Sequence, residues 1–359
     1  MAKTSIYFYS VCYFLLISIA HFACVEEIEF DATGETGTLV VDGLLSTSSD
    51  SNFIHLIRTN ELNKQIFPGE TGALITLFDD VGGSEVYQDL GGGKYYLAGN
   101  QMIIETGRTY HIEITTNNGQ QYISDPETIL PAPEIDSLTF NFSIEDIVER
   151  ENRVLERSFF NLFVEGEIPT DNSATFLKWD VEHIYQVAEI DCSPLIPPKV
   201  CYVERRVNKN QVLILNGEEY TDGAGYHVPV IHQELDYAFG LVASFYVSQK
   251  ALTKPAFEYW DKVKNTLANG STIFDSPPAS IEGNLHSISD PQQEVLGYFS
   301  AIDEKKKVIL VTRGDLVDPF DELPLCGLNG NFPGDIDFRI CCNCLNLEYS
   351  SRKRPSYWP

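Results

Sequence analysis

The stretch "ATFLKWDVEHIYQVAEI" (174–190) limits the fold more than any other. Leu177, Trp179, Val181, Tyr185 and Val187 lie on one side of a period-two alternation; Lys178, Asp180, Glu182 and Gln186 lie on the other. Only an extended strand separates neighbouring side chains in this way, so the segment reads as a strand with one face in a core. His183 falls on the apolar face and is expected to be a packed, hydrogen-bonded core histidine.

The rest of the chain repeats the strand signal in shorter pieces. "TLVVDGLL" (38–45), "ALITLFDD" (73–80) and "KYYLAG" (94–99) are short apolar runs between glycine turns. Tyr110, Ile112 and Ile114 alternate with His111, Glu113 and Thr115, and Asn118-Gly119 supplies residues that tolerate positive φ in a tight turn. This pattern predicts an N-terminal Ig-like β-sandwich over 34–130. Pro126, Pro131 and Pro133 then read as an extended linker, with the boundary near Pro131. The remainder, 131–359, reads as a larger β-rich domain with one main helix near 254–268. Thr253 suits its cap, Pro255 its first turn and Gly270 its stop. Phe257, Trp260, Val263 and Leu267 are expected to form its packing stripe. The fold class is therefore mainly β.

The cysteines depend on the compartment. Lys3 precedes an apolar run from Ile6 to Ala23, the pattern of a secretory signal peptide over 1–23. Cys24 follows directly, where a bacterial lipoprotein carries its acylated cysteine; of the three residues before it, only Ala23 fits the usual pattern. Plain secretion and an uncleaved anchor helix are the competing readings. Residues 24–33 read as a lipidated acidic tether, with Glu26 and Glu27 as a surface-export signal or a solvated spacer. An exported chain keeps six further cysteines, Cys192, Cys201, Cys326, Cys341, Cys342 and Cys344, and an even number in an oxidising compartment reads as disulfides. Cys192 is expected to pair with Cys201 across a proline-rich loop, and Cys326 with Cys341 or Cys342, the last pair closing inside "CCNC". Adjacent Cys341 and Cys342 are expected to take different partners. A zinc site is the alternative, but Cys341-x-x-Cys344 lacks a matching second pair.

Charge and motifs exclude more than they assign. Asp and Glu total 52 against 25 Lys and Arg, which argues against a nucleic-acid partner. There is no nucleophile elbow, no zinc-protease motif, no P-loop and no dinucleotide fingerprint, so no catalytic residue and no cofactor are assigned. His227 and His232 lack a third metal ligand. Asp315, Asp318, Asp321, Asp335 and Asp337 read as solvated loop acids before a calcium site.

Three segments in order carry a resemblance: the helix with "FEYW" (257–260), then "IFDSPPASIEGNL" (273–285), then "VLGYFSA" (295–301). Pro133, Ile135, Asp136, Ser137 and Leu138, and the ending "CCNCLNLEYSSRKRPSYWP", fit the same pattern. The chain resembles the Bacteroidota outer-membrane lipoproteins grouped as DUF 4249. That resemblance implies an outer-membrane lipoprotein anchored at Cys24, with a SusC-like TonB-dependent receptor as partner, while Glu26 and Glu27 point to surface exposure. The expected function is a binding or accessory role in nutrient capture. A surface hydrolase with an unrecognised acidic site, and a structural role in envelope assembly or adhesion, are the other readings.

Overall fold

The computed structural model describes residues 37–48, 52–60, 67–99, 101–148, 153–171, 173–192, 195, 197–207, 211–269, 280–316, 326 and 338–358. The first strands are β1 (Leu39–Ser46), β2 (Phe53–Arg58), β3 (Leu74–Asp79), β4 (Ser84–Val86), β5 (Gln88–Gly91), β6 (Lys94–Tyr96), β7 (Thr109–Thr115), β8 (Gln121–Ser124) and β9 (Glu127–Thr128). Then come β10 (Ser137–Val148), β11 (Val154–Glu167), β12 (Phe176–Ala188), β13 (Val200–Arg205), β14 (Leu213–Asn216), β15 (Gly225–Glu234), β16 (Val242–Leu252) and helix α1 (Lys254–Asn269). The chain continues through β17 (Leu285–Ser287), β18 (Val295–Ile302), β19 (Glu304–Thr312), the short helix α2 (Phe338–Cys342) and β20 (Ser350–Ser351). The mainly β class expected from the alternation is what the chain adopts.

The first sandwich stacks a sheet ordered β18-β1-β2-β6-β5 on one ordered β17-β8-β7-β3-β4, with β9 beside β7. Val41, Ile54 and Leu56 of one sheet meet Ile75, Ile112, Tyr110 and Tyr122 of the other in a common core. The Asn118-Gly119 hairpin forms as read, with Gly119 at φ 83°. The sheets cross the boundary expected between 130 and 131. Strands β17 and β18 lie far beyond the linker in sequence, yet each completes one sheet of the first sandwich. β18 runs parallel to β1 along its whole length, so Phe299 and Ala301 join the first core.

Two of the recognition segments make this closure. Asn284 of "EGNL" donates from Nδ2 to the Phe299 carbonyl at 2.9 Å, and its Oδ1 accepts from the Phe299 amide at 2.8 Å. Gly297 of "LGYF" sits at φ 96°, and a Cβ there would stand 1.9 Å from the Val41 carbonyl oxygen. Only glycine allows both the dihedral and the approach.

The second sandwich packs β10-β11-β15 against β19-β16-β12-β13-β20, with β14 on β12. β12 obeys its alternation: Leu177, Trp179, Tyr185 and Val187 are buried in this core. Gln249 is central to it, accepting from Trp179 Nε1 at 2.9 Å and Tyr226 Oη at 3.0 Å and donating to the Pro133 carbonyl at 2.8 Å. His183 is packed as expected, stacked on Phe245 at 4.4 Å, but neither ring nitrogen has a hydrogen-bond partner. Burial, with Arg205 adding to it, pushes its pKa down to about 3, so the ring is neutral. Helix α1 packs through its first half: Phe257 lies on Phe176 at 4.9 Å and Tyr259 on Tyr298 at 4.8 Å. The expected stripe ends early, because Leu267 is exposed.

Among the described residues all six cysteines are bridged, as Cys192–Cys342, Cys201–Cys344 and, as expected, Cys326–Cys341. The expected Cys192–Cys201 bond is replaced by two bonds to the C-terminal segment. Cys201 points into the core from β13, where the backbone of the terminal segment arrives alongside in β20. Cys341 and Cys342 do take different partners, but from a helical turn, where consecutive side chains diverge by about 100°.

Two measurements test these features. Gly82 also has positive φ, at 90°, but open space around its Cβ position. Gly82→Ala should cost about 1 kcal/mol in urea unfolding from the dihedral alone, and Gly297→Ala about 3 kcal/mol or more from dihedral plus clash. Equal losses would reject the close approach. Peptide mapping without reduction should recover the three linkages above, and a Cys192–Cys201 peptide would contradict them.

Candidate functional site

A large opening lies where the sandwiches meet. Its volume is about 560 Å³, within the range of small-molecule sites. One wall is the outer face of the first sandwich, with Asp42 and Leu44 of β1 and Phe53 and His55 of β2. The facing wall is the polar side of β12 and β16, with Lys178, Asp180 and Lys250. Tyr259 and Trp260 of α1 close the top. The polar face that period two separated from the core is thus turned into a cleft.

The charges are arranged, not scattered. Lys178 and Lys250 are register partners on β12 and β16. Their ammonium groups reach the two oxygens of Asp180, each at 2.5 Å. Lys178 Nζ also stands 4.7 Å above the Trp260 ring, a favourable cation–π position. Burial opposes the ionised form of Asp180, but the two ammonium groups outweigh it and hold its carboxyl well below the usual range. Burial depresses the Lys178 ammonium in turn, with Lys250 adding to the effect and Asp180 opposing it. On the opposite wall, Asp42 pairs in register with His55 on one side and Tyr298 on the other.

Behind Tyr298 lies a buried carboxylate. Glu127 accepts a short hydrogen bond from Tyr298 Oη and a 2.8 Å bond from Thr253 Oγ1, the residue that also caps α1. Burial raises the Glu127 pKa, and those donors only partly offset it. The network ties β9, β18 and the start of α1 together at the edge of the cleft.

The residues singled out in the sequence fall elsewhere. The signal segment 1–23, Cys24, the tether, Glu26 and Glu27 lie outside the described residues, as do Asp318, Asp321, Asp335 and Asp337. Asp315 accepts from the Thr312 amide and hydroxyl at 2.7 Å each, so it closes a turn. His227 and His232 lie on the exposed face of the three-stranded sheet, stacked on Phe163 and Phe159. Their Nδ1 atoms bond to Glu165 and Asn161 respectively. Glu189 stands beside Cys201 and Cys344 within metal-binding distance, but the two sulfurs are bonded to each other and offer no thiolate. None of the cleft residues is among the expected sites, and Trp260, expected in the packing stripe of the helix, lines the cleft instead. The K-x-D of β12 was visible as a polar face, but its convergence with Lys250 and Asp42 depends on register and on the joining of the sandwiches.

The profile of a family described as "Domain of unknown function (DUF4249)" matches residues 25–308. The chain belongs to the DUF4249 family. No curated protein and no solved structure matches it. In this DUF4249 protein the matched region contains every residue that lines the cleft. No helix among the described residues is long and apolar enough to cross a membrane.

Removing the shared carboxylate tests the lysine pair. Asp180→Asn leaves two ammonium groups facing each other and should cost about 1–2 kcal/mol in urea unfolding, the solvent exposure of Asp180 limiting the loss. Adding Lys250→Met to Asp180→Asn should restore most of it. Full stability in the single variant would show that the pair does not depend on Asp180.

Proposed function

We propose that this DUF4249 protein is a binding or accessory protein whose cleft between the sandwiches holds a small ligand. The cleft carries the reading: aromatic side chains and a fixed set of charges line a 560 Å³ opening between two joined bodies. Preformed pockets of this kind limit the ordering cost of binding. A hydrolase is less well supported, because Asp180 is already saturated by two lysines. The apolar run ending at Cys24, with Glu26 and Glu27 after it, favours a lipid-anchored, surface-exposed protein at the outer membrane. There it would pass nutrient to a SusC-like TonB-dependent receptor. Each buried methylene of the acyl chains adds about 0.8 kcal/mol to anchoring, so several chains hold firmly.

Two experiments test this. Metabolic palmitate labelling should mark the wild type and not Cys24→Ser, and equal labelling would reject the anchor. Detergent extraction of the tagged native protein, followed by mass spectrometry, should recover a TonB-dependent receptor in stoichiometric amount. Recovery of the protein without one would reject the partnership.

A further inference from the structure

The two walls of the cleft carry opposite charges that do not meet. On the β12–β16 wall, two ammonium groups share the single carboxylate of Asp180. Glu304 lies in register with Lys250 and its charge reaches it, but Glu304 also takes Lys306 at 2.9 Å, Ser248 at 2.6 Å and Ser46 at 3.1 Å, so three ammonium groups share two carboxylates. The lining of this wall is therefore left with one positive charge in excess. On the β1–β2 wall, Asp42 is exposed and has neither a hydrogen bond nor an ion pair among the described residues. Its field reaches Lys178 and Tyr259, so it faces the same space. An unpaired carboxylate thus opposes an under-neutralised lysine pair across an opening. Trp260, Tyr259 and Phe53 line the apolar part between them.

Resting on the cleft's reading as a binding site, we infer that its ligand is a zwitterion of about dipeptide size with an apolar or aromatic body. Its ammonium group goes to Asp42, with His55 beside it. Its carboxylate goes to Lys178 and Lys250, giving the pair the second anion it lacks. Its side chains lie against the ring wall. Each end forms a charge-assisted hydrogen bond, roughly twice as strong as a neutral one. Low solvent access at the lysine pair strengthens that end further. A neutral sugar would leave both surplus charges unpaired, so charge separates the two ligand classes.

Isothermal titration of the full mature chain tests this with four probes: L-phenylalanyl-L-leucine, its N-acetyl form, its C-terminal amide, and maltose. The free dipeptide should bind, and each blocked form should bind about tenfold or more weakly, the loss of one charged contact. Asp42→Asn, on an exposed side chain without partners, should leave the fold intact by circular dichroism. It should weaken the free dipeptide about tenfold and equalise it with the N-acetyl form. Lys250→Gln should likewise remove the preference over the amide. Blocked and free dipeptides binding equally, or an unchanged Asp42→Asn, overturns the charge assignment. Maltose binding that is lost in Trp260→Ala, with no heat from the dipeptide, also overturns it while leaving the cleft a ligand site. No heat from any probe overturns the assignment; the receptor partnership is judged by the separate extraction experiment.

Discussion

A single residue, Asp303, separates β18 of the first sandwich from β19 of the second. The chain leaves one sheet and enters another with no room for a hinge. Asp303 fixes the passage from both sides. Its Oδ1 accepts from Thr47 Oγ1 at 2.6 Å, at the end of β1, and its Oδ2 accepts from the Ala132 amide at 2.9 Å, in the linker. The Thr47 amide donates to the Ile302 carbonyl at the same place. The proline-rich linker is therefore not a tether between independent bodies. Lys307 Nζ bonds to the Ile135 and Asp136 carbonyls and Gln249 to that of Pro133, so its backbone is spent on the second sandwich. These bonds join the two sandwiches whose facing strands wall the cleft.

Covalent stiffness is placed at the opposite end of the second sandwich. Cys192–Cys342 closes a loop with a separation of 150 residues, the kind that most restricts an unfolded chain in the entropy model. Once it is closed, Cys201–Cys344 adds only a small ring, so its effect is to fix the terminal segment locally. Glu189 shares that task, accepting from the Cys344 amide at 3.2 Å and from Arg352 at 3.1 Å. The last residues follow, with Trp358 edge-on to Tyr202 and Tyr357 stacked on Tyr246. Rings and sulfurs hold the far end, and hydrogen bonds and strand pairing hold the cleft end.

Local periodicity was legible and closure was not. The alternation of β12, the Asn118-Gly119 hairpin and the Thr253 start of α1 are properties of neighbours in sequence, and each formed as read. The pairing of β18 with β1 joins residues more than two hundred and fifty positions apart, and no local pattern encodes it. Both strands looked complete in their own neighbourhoods, which is why a contiguous boundary was expected. The expected Cys192–Cys201 bond failed for the same reason: proximity in sequence favoured it, while the returning C-terminal segment supplies both partners; Cys326, by contrast, pairs with Cys341 as expected. The glycine and asparagine of the family segments were visible as letters, and only the crossing at Phe299 and Val41 gives them work.

Successive outward rows of β12 and β16 show where packing ends and the cleft begins. The first row, Phe176 and Leu252, lies under α1 with Phe257 against it. The next row, Lys178 and Lys250, keeps the same register and changes from apolar to cationic. Holding charges at a half-buried surface costs desolvation that an apolar pair would avoid, and a well-packed hydrophobic replacement is often neutral or stabilising. The helix does not depend on those lysines, because it packs through Phe257 and Tyr259, with Lys178 adding only a cation–π contact to Trp260. Nor do they serve the core, which takes Leu177 and Trp179 from the other face of the same strand. Their contacts to Asp180 and Trp260 return only part of that cost, and across the opening they face the unpaired carboxylate of Asp42. On the proposed reading, the row is kept for a ligand that enters the cleft.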